Sequence, residues 1–403
     1  MKCLRTLAIA IVSLCIAGCV SSREPDNSPG VSEDTILIGT WAPLTGPAAA
    51  WGTVSRGMHT FFQLVNEEGG IHGRKVELLI KDDGYQPVRT VGVVKQLVER
   101  DQVLAVVGGT GTAPGMAVKD YLSRRGVPWI GPASGAHNWA YPPSPNIFST
   151  TPMYFTESAV LVDYAVETMG MTRLAVFYLN DDFGKSGLVG ARLALAKHGL
   201  ELVAEVSSEL LDSDLTSQVL RLKESGAEGV FIWATPKHAA ILVGQAAKLA
   251  LSPQWFATYV LADQNLMHEI TEGKWEGTIY ASAGANYLEP TNLMEKYRLA
   301  RDRFSPQERE GLFFYSGFAY AEVMVEGLRR AGPELTRESL IQALESIQDF
   351  QGISGKMSYS SSQRQGMLSV YLIRCTGAAQ FERLTDWITP EVDIARAIQE
   401  LLN

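Results

Sequence analysis

The chain has 403 residues, 46% of them hydrophobic and 20% charged, enough for one large or two medium globular domains with a sizeable core. Acidic residues outnumber basic ones by 44 to 35. That balance argues against nucleic acid as the partner, since phosphate binding needs basic surface, and says little about a small ligand.

The first residues read as an address. Lys2 and Arg5 form a positive start, residues 7–16 are a short apolar run, and Ile16-Ala17-Gly18-Cys19 follows. This is the layout of a secretory signal, and a run shorter than the ~20 residues needed to span a bilayer is not a membrane anchor. The small pair before Cys19 resembles a bacterial lipoprotein signal, which implies cleavage of residues 1–18 and lipidation of Cys19. A plain cleaved signal with a chance cysteine is the rival reading. Cleavage takes Lys2 and Arg5 away, leaving 33 basic residues and a net charge near −11. It also takes Cys3 and Cys15, so Cys375 alone remains and no disulfide can form within one mature chain. Cys375 follows the apolar run 370–373 and is expected to be a buried packing residue. Residues 19–33, rich in Ser, Pro, Asp and Asn, read as a lipid-anchored linker.

From Thr35 the pattern changes. Strand-length apolar runs at 36–41, 76–80, 103–107 and 128–130 alternate with helical stretches at 53–68, 87–100 and 113–125. Such alternation predicts βαβ units around a parallel sheet covered on both faces. The Pro-rich passage 141–145 interrupts it. A second series then begins, with strands at 174–179, 202–206, 230–234 and 255–259 and helices at 185–198, 216–224 and 238–249. Both series carry an acidic pair at a strand end, Asp82-Asp83 and Asp181-Asp182. The predicted fold is therefore α/β, with doubly wound parallel-sheet lobes and a ligand cleft between their strand C-termini. Residues 292–344 read as mainly helical and 367–373 as a late strand, with no sign of which lobe they join.

The strongest local constellation is Val106-Val107-Gly108-Gly109-Thr110-Gly111-Thr112-Ala113-Pro114-Gly115. A buried strand enters a glycine loop and a helix follows, so backbone N–H groups at the helix start can attract an anion. Pro114 stands where the third glycine of a dinucleotide fingerprint belongs. Thr112 either caps the helix or offers its hydroxyl to a ligand carboxylate. Asp182-Phe183-Gly184-Lys185-Ser186 fails as a P-loop because Leu179 replaces the first glycine. His268-Glu269 fails as a zinc-protease start because Glu272 replaces the second histidine. The six histidines have no metal-ligand spacing, and no G-x-S-x-G elbow occurs. No catalytic residue, metal or cofactor is expected. Among the aromatics at strand ends (Trp41, Trp51, Tyr85, Trp129, Phe183, Trp233 and Tyr259), Trp51 stands out because it lies in the loop after the first strand.

Ile38-Gly39, Leu44 to Pro47, Asn66 to Arg74, Lys81-Asp82-Asp83, Val106 to Gly108, Gly126-Val127-Pro128 and Asp181 to Gly184 follow one another in an order and spacing similar to the branched-chain amino-acid-binding family. These are type I periplasmic binding proteins that feed ABC importers, and the resemblance covers most of the mature chain. It implies lobes joined by a three-crossover hinge, an N-terminal one of residues 34–151 plus 283–360 and a C-terminal one of 152–282 plus 361–403. It implies that Thr112, with Gly111 before it, holds a ligand carboxylate, assisted by Ala133, Ser134 and Gly135. The family often has threonine where Gly135 stands. It further implies that Trp51 and Phe183 flank the ligand, and Thr235 falls where some relatives carry a tyrosine. Tyr259 stands where amino-acid-binding relatives often place a glutamate for the ligand ammonium. A buried ammonium without a carboxylate is costly, so the expected ligand is an amino acid, amide or carboxylate, with the last two favoured and aromatic ones included. The resemblance implies a monomeric, extracytoplasmic lipoprotein held to the cell envelope by lipid, facing the periplasm in a Gram-negative cell. Its expected partner is an ABC permease. A ligand-sensing receptor of the same fold and an exported hydrolase are the rival readings.

Overall fold

The computed structural model describes residues 28–284 and 287–402. The signal reading, the linker as far as residue 27 and the lipidation of Cys19 lie outside the described residues.

The first sheet is built from β1 (Thr35–Ala42), β2 (Lys75–Asp82), β3 (Ala105–Val107), β4 (Trp129–Ile130) and β5 (Ile147–Phe148), with α1 (Thr53–Glu67), α2 (Pro87–Lys95) and α3 (Thr112–Arg124) between them. Its order is β2-β1-β3-β4-β5, parallel throughout. The chain then crosses to α4 (Tyr154–Asp163) and a second series: β6 (Leu174–Leu179), α5 (Asp182–Lys197), β7 (Ala204–Ser208), α6 (Thr216–Ser225), β8 (Gly229–Trp233), α7 (Pro236–Lys248), β9 (Gln254–Ala257), α8 (Gln264–Ile270) and β10 (Ile279–Ser282). Helices α9 (Asn292–Phe304), α10 (Leu312–Ala331) and α11 (Arg337–Glu345) follow, then β11 (Tyr371–Gly377), β12 (Gln380–Arg383) and α12 (Ile394–Leu402). The second sheet repeats the winding of the first as β7-β6-β8-β9-β10 and extends it with β11 and β12, both antiparallel. In each sheet the strand order reverses beside the first strand of its series, and ligands bind outside the strand ends at such a point.

The late elements divide between the sheets. Helices α9 and α10 pack on α1, and α11 packs on α10. The Arg337 guanidinium of α11 donates to the carbonyls of Leu104 (2.9 Å) and Val103 (2.8 Å) at the entry to β3. Strand β11 pairs with β10, and α12 packs on α5. The late strand thus begins four residues beyond the expected 367, where the register with β10 starts. Helix α5 begins three residues before the expected 185, because the Asp181 carboxylate caps it by accepting the Gly184 N–H at 3.0 Å.

Residues 28–33, expected to be linker, are instead bonded to the sheet. Leu37 N–H donates to the Gly30 carbonyl at 2.7 Å, and Arg74 donates to the Ser32 carbonyl at 2.9 Å. Gly30 permits this path: its φ is +73°, and a Cβ there would lie 2.3 Å from the Leu104 nitrogen.

Among the described residues, passages 149–153, 283–284 with 287–291, and 346–370 run between the sheets. Their backbones are tied to one another. Ser149 N–H donates to the Arg364 carbonyl, Gly366 N–H to the Ser149 carbonyl (both 2.8 Å), and Gly284 bridges to Ser354. Glu322 of α10, buried and raised to about 7 by that burial, accepts the Ile353 N–H at 2.9 Å and so holds the third passage to the first lobe. Among the described residues no helix is long and apolar enough to cross a membrane.

The α1–α10 contact depends on glycine. A Cβ on Gly57 would lie 1.9 Å from the Phe314 carbonyl oxygen, and one on Gly317 would lie 2.2 Å from that of Val54. Alanine ordinarily stabilises a helix interior relative to glycine by about 1 kcal/mol. Here the sign reverses, and Gly317→Ala should destabilise the protein by about 1–3 kcal/mol in urea unfolding. A variant as stable as the parent contradicts this packing.

Candidate functional site

The first strand of the chain runs into a turn, Ala49–Gly52, that carries Trp51. β3 runs into Gly108-Gly109-Thr110-Gly111, whose glycines all have positive φ. A Cβ on Gly109 would lie 2.5 Å from the Trp41 ring, so the loop can lie flat on that indole only with glycine there. The loop delivers Thr110, Gly111 and Thr112 to one cavity. The first N–H groups of α3 have no intrahelical partner, and the helix start is a natural anion site. Thr110 is only 5% exposed, and its hydroxyl has no hydrogen-bond partner.

The facing wall comes from the second lobe: Tyr154 at the start of α4, Phe183 in α5, and Tyr259-Val260 in the turn after β9. Helix α10 supplies Phe313, Ser316 and Tyr320, spaced three and four apart so that they share one helix face. The cavity between these walls holds about 60 Å³, on a scale where one water needs about 10–15 Å³. Among the described residues no charged side chain lines it.

Contacts cross the cleft directly. The Trp51 indole N–H donates to the Val260 carbonyl at 3.0 Å, and the Tyr85 phenol donates to Asp181 at 3.3 Å. Trp51 lies edge-on to Phe183, 6.0 Å between ring centres. Burial raises the Asp181 carboxyl to about 6, against the Gly184 and Tyr85 hydrogen bonds that favour its charged form. Tyr85 reaches the cleft from a left-handed backbone, φ +60°, and Asp83 holds it there by accepting the Tyr85 N–H at 3.0 Å. Asp82 accepts from Leu44, Thr45 and Gly84. The acidic pairs at the strand ends therefore organise loops and helix starts.

Of the residues singled out in the sequence, Trp51, Gly111, Thr112, Ala133, Phe183 and Tyr259 line the cavity. Thr112 is inside α3, and Gly111 is the capping position, so the hydroxyl does not cap. It lies 2.7 Å from the Ser134 hydroxyl. Ser134 accepts the Ala136 N–H at 3.2 Å. The Tyr154 phenol also lies against the Thr112 and Ser134 hydroxyls, so the three form one hydroxyl cluster at the start of α3. Ser134 thus stands behind the wall as a support. Thr235 does not reach the cavity. It caps α7, accepting the His238 N–H, with its oxygen 2.7 Å from His238 Nδ1. Threonine before Pro236 at a helix start is a cap signature, and local capping takes the side chain. Val54, Tyr85, Thr110, Tyr154, Val260, Phe313, Ser316 and Tyr320 also line the cavity. Of these, Tyr85 was named among the strand-end aromatics and Thr110 within the glycine loop, while the α10 residues reach the cavity through tertiary packing alone.

Gly135 and Tyr259 form a unit. A Cβ on Gly135 would lie 2.3 Å from the Tyr259 hydroxyl, which donates to the Pro152 carbonyl at 3.2 Å. Tyr259 stacks on Tyr154 at 5.9 Å, and its N–H donates to Glu157 at 2.9 Å. Glu157 is fully buried and also accepts from Thr258 (2.5 Å) and Trp233 (3.3 Å). No cation is among these partners, and burial raises its carboxyl from 4.5 to about 8. When unfolded it ionises near 4.5, so the unfolded chain gains by ionisation as pH rises from there to about 8, and stability falls across that window. Between pH 5 and pH 8 the parent should therefore lose on the order of 3 kcal/mol more stability than Glu157→Gln. Thermal or urea unfolding at both pH values checks this, and parallel pH profiles contradict it.

Residues 35–380 match a family model described as periplasmic binding protein. The chain is 28% identical over 332 residues to the Leu/Ile/Val-binding protein homolog 3 of Brucella melitensis, covering 81% of this chain and 88% of that one. A fatty acid ABC transporter substrate-binding protein from Thermomonospora curvata superposes with a TM-score of 0.82 at 25% identity, covering 90% of this chain and 95% of that one. A branched-chain amino acid ABC transporter protein from Thermus thermophilus with bound valine gives a TM-score of 0.81 at 19% identity, covering 92% and 100%, and shares the fold.

Proposed function

This chain belongs to the periplasmic binding protein family, as an extracytoplasmic solute-binding protein and not an enzyme, and we propose that its solute is a small organic carboxylate or amide. The observation that carries this reading is the asymmetry of the cavity. Its first wall offers the start of α3, the Thr112 hydroxyl and the unpartnered Thr110 hydroxyl, a set suited to an anionic or carbonyl oxygen. The rest of the cavity is aromatic, with Trp51 and Tyr85 from the first lobe facing Tyr154, Phe183 and Tyr259 from the second, and Tyr259 stands where the family resemblance leads one to expect an ammonium-pairing glutamate. An α-amino group buried there has no carboxylate to pair with and carries the full cost of its charge. The fatty-acid ABC transporter relative from Thermomonospora curvata is consistent with a carboxylate that needs no ammonium partner.

In this reading the ligand binds as residues 34–151 with 283–360 close against 152–282 with 361–403. The Trp51–Val260 and Tyr85–Asp181 contacts form on closure. The closed form then delivers its solute to an ABC permease. Lipid on Cys19 keeps the protein beside that permease, and Cys19→Ser should move it from the membrane to the soluble fraction. Membrane retention of the variant contradicts the anchor.

A thermal-shift screen of aliphatic acids, aromatic acids, amides and amino acids tests the ligand class. Acids or amides should raise the melting temperature more than leucine or valine, and Thr112→Ala should weaken their binding by about 1 kcal/mol, several-fold in Kd. Binding dominated by leucine or valine, or an unchanged affinity in Thr112→Ala, overturns the reading.

A further inference from the structure

A second cavity, also about 60 Å³, lies beside the first at the hinge. Tyr259, Ser316 and Tyr320 line both, so these side chains are the partition between them. Each crossing passage contributes to the second chamber: Thr150 and Thr151 from the first, Ala283 and Gly284 from the second, Ile353 and Ser354 from the third. Leu312 and Ala319 of α10 complete an apolar side, and no charged side chain among the described residues lines it.

The hydroxyls of the chamber are not equivalent. Thr151 donates to the Ser134 carbonyl at 3.0 Å and Ser316 to the Leu312 carbonyl at 2.8 Å. Thr150 is 3% exposed, and its hydroxyl has no partner. A buried hydroxyl left unpaired is costly, and an apolar group packed against it does not remove that cost.

We propose that the hinge chamber is the tail subsite of the ligand, which is an elongated monocarboxylate with an apolar chain and a neutral hydrogen-bonding group at its far end. This rests on the carboxylate reading of the cleft. The carboxylate sits at the start of α3, the chain passes between Tyr259 and Tyr320, and its terminal group meets the Thr150 hydroxyl. A second carboxylate or an ammonium at the tail is excluded, since the chamber has no charge to pair with it.

Calorimetric titration at pH 7 with butanoate, hexanoate and the omega-hydroxy derivative of hexanoate tests this. In the parent protein hexanoate should bind about tenfold tighter than butanoate, the gain expected for burying two more methylenes. The hydroxy acid should gain about a further fivefold by pairing with Thr150. Ala319→Leu, which fills the chamber, should abolish both gains while butanoate binding stays within about threefold of the parent, which also reports an intact fold. Thr150→Val should abolish only the hydroxyl preference. Equal affinity for the three acids in the parent, or gains that persist in Ala319→Leu, overturns the tail subsite and leaves the carboxylate reading standing. If Ala319→Leu does not fold, the length series in the parent decides alone. Failure of all three acids to bind overturns the carboxylate reading and the tail subsite with it.

Discussion

The cleft is arranged around one phenol. Tyr259 sends its hydroxyl to the Pro152 carbonyl through the space that a side chain at residue 135 would occupy. Glycine at 135 and tyrosine at 259 are therefore a single solution to one packing problem. Either alone costs something: a larger residue at 135 collides with the ring, and a smaller one at 259 leaves a void beside Tyr154. The buried Glu157 adds to the constraint by fixing the backbone of Tyr259 from behind. With Ser316 and Tyr320, this ring also separates the cavity from the chamber beside it.

The rest of the fold brings the two halves of that site together. Each sheet winds in the same order, so each has a point beside its first strand where loops open outward. The first lobe places polar groups there, on a glycine loop and a helix start, beside the rings of Trp51 and Tyr85, and the second adds those of Tyr154, Phe183 and Tyr259. Tight glycine packing of α10 on α1 then carries a third set of residues, Phe313, Ser316 and Tyr320, under the cleft. The crossing passages are bonded to one another and line a chamber of their own.

Much of this is readable from residue order, and the remainder is not for identifiable reasons. Strands such as β1, β6 and β8 are apolar runs between turn signals, and their alternation with helices announces the α/β architecture. Strand β4 was legible as the apolar run 128–130, whereas β5 has two residues and exists only through pairing with β4. Helix α4 is buried on nearly every side and so has no amphipathic period to betray it, which hid Tyr154. Thr112 and Trp51 were legible because they follow strand ends. Residues of α10 were not, because a helix some two hundred positions later reaches the cleft only through tertiary packing. At Thr235 a local cap outweighed the expected role, and at residues 28–33 a glycine turned an expected linker into part of the sheet.

The central claim is that Gly135 and Tyr259 together remove the place for a ligand ammonium. The most direct measurement is the affinity for leucine, by calorimetry, of the double variant Gly135→Thr/Tyr259→Glu against the parent protein. The account predicts that leucine binds the double variant at least about tenfold tighter than the parent, because a carboxylate then faces the ammonium in a site of low polarity. Leucine binding that is equally strong in the parent, or no gain in a folded double variant, contradicts it.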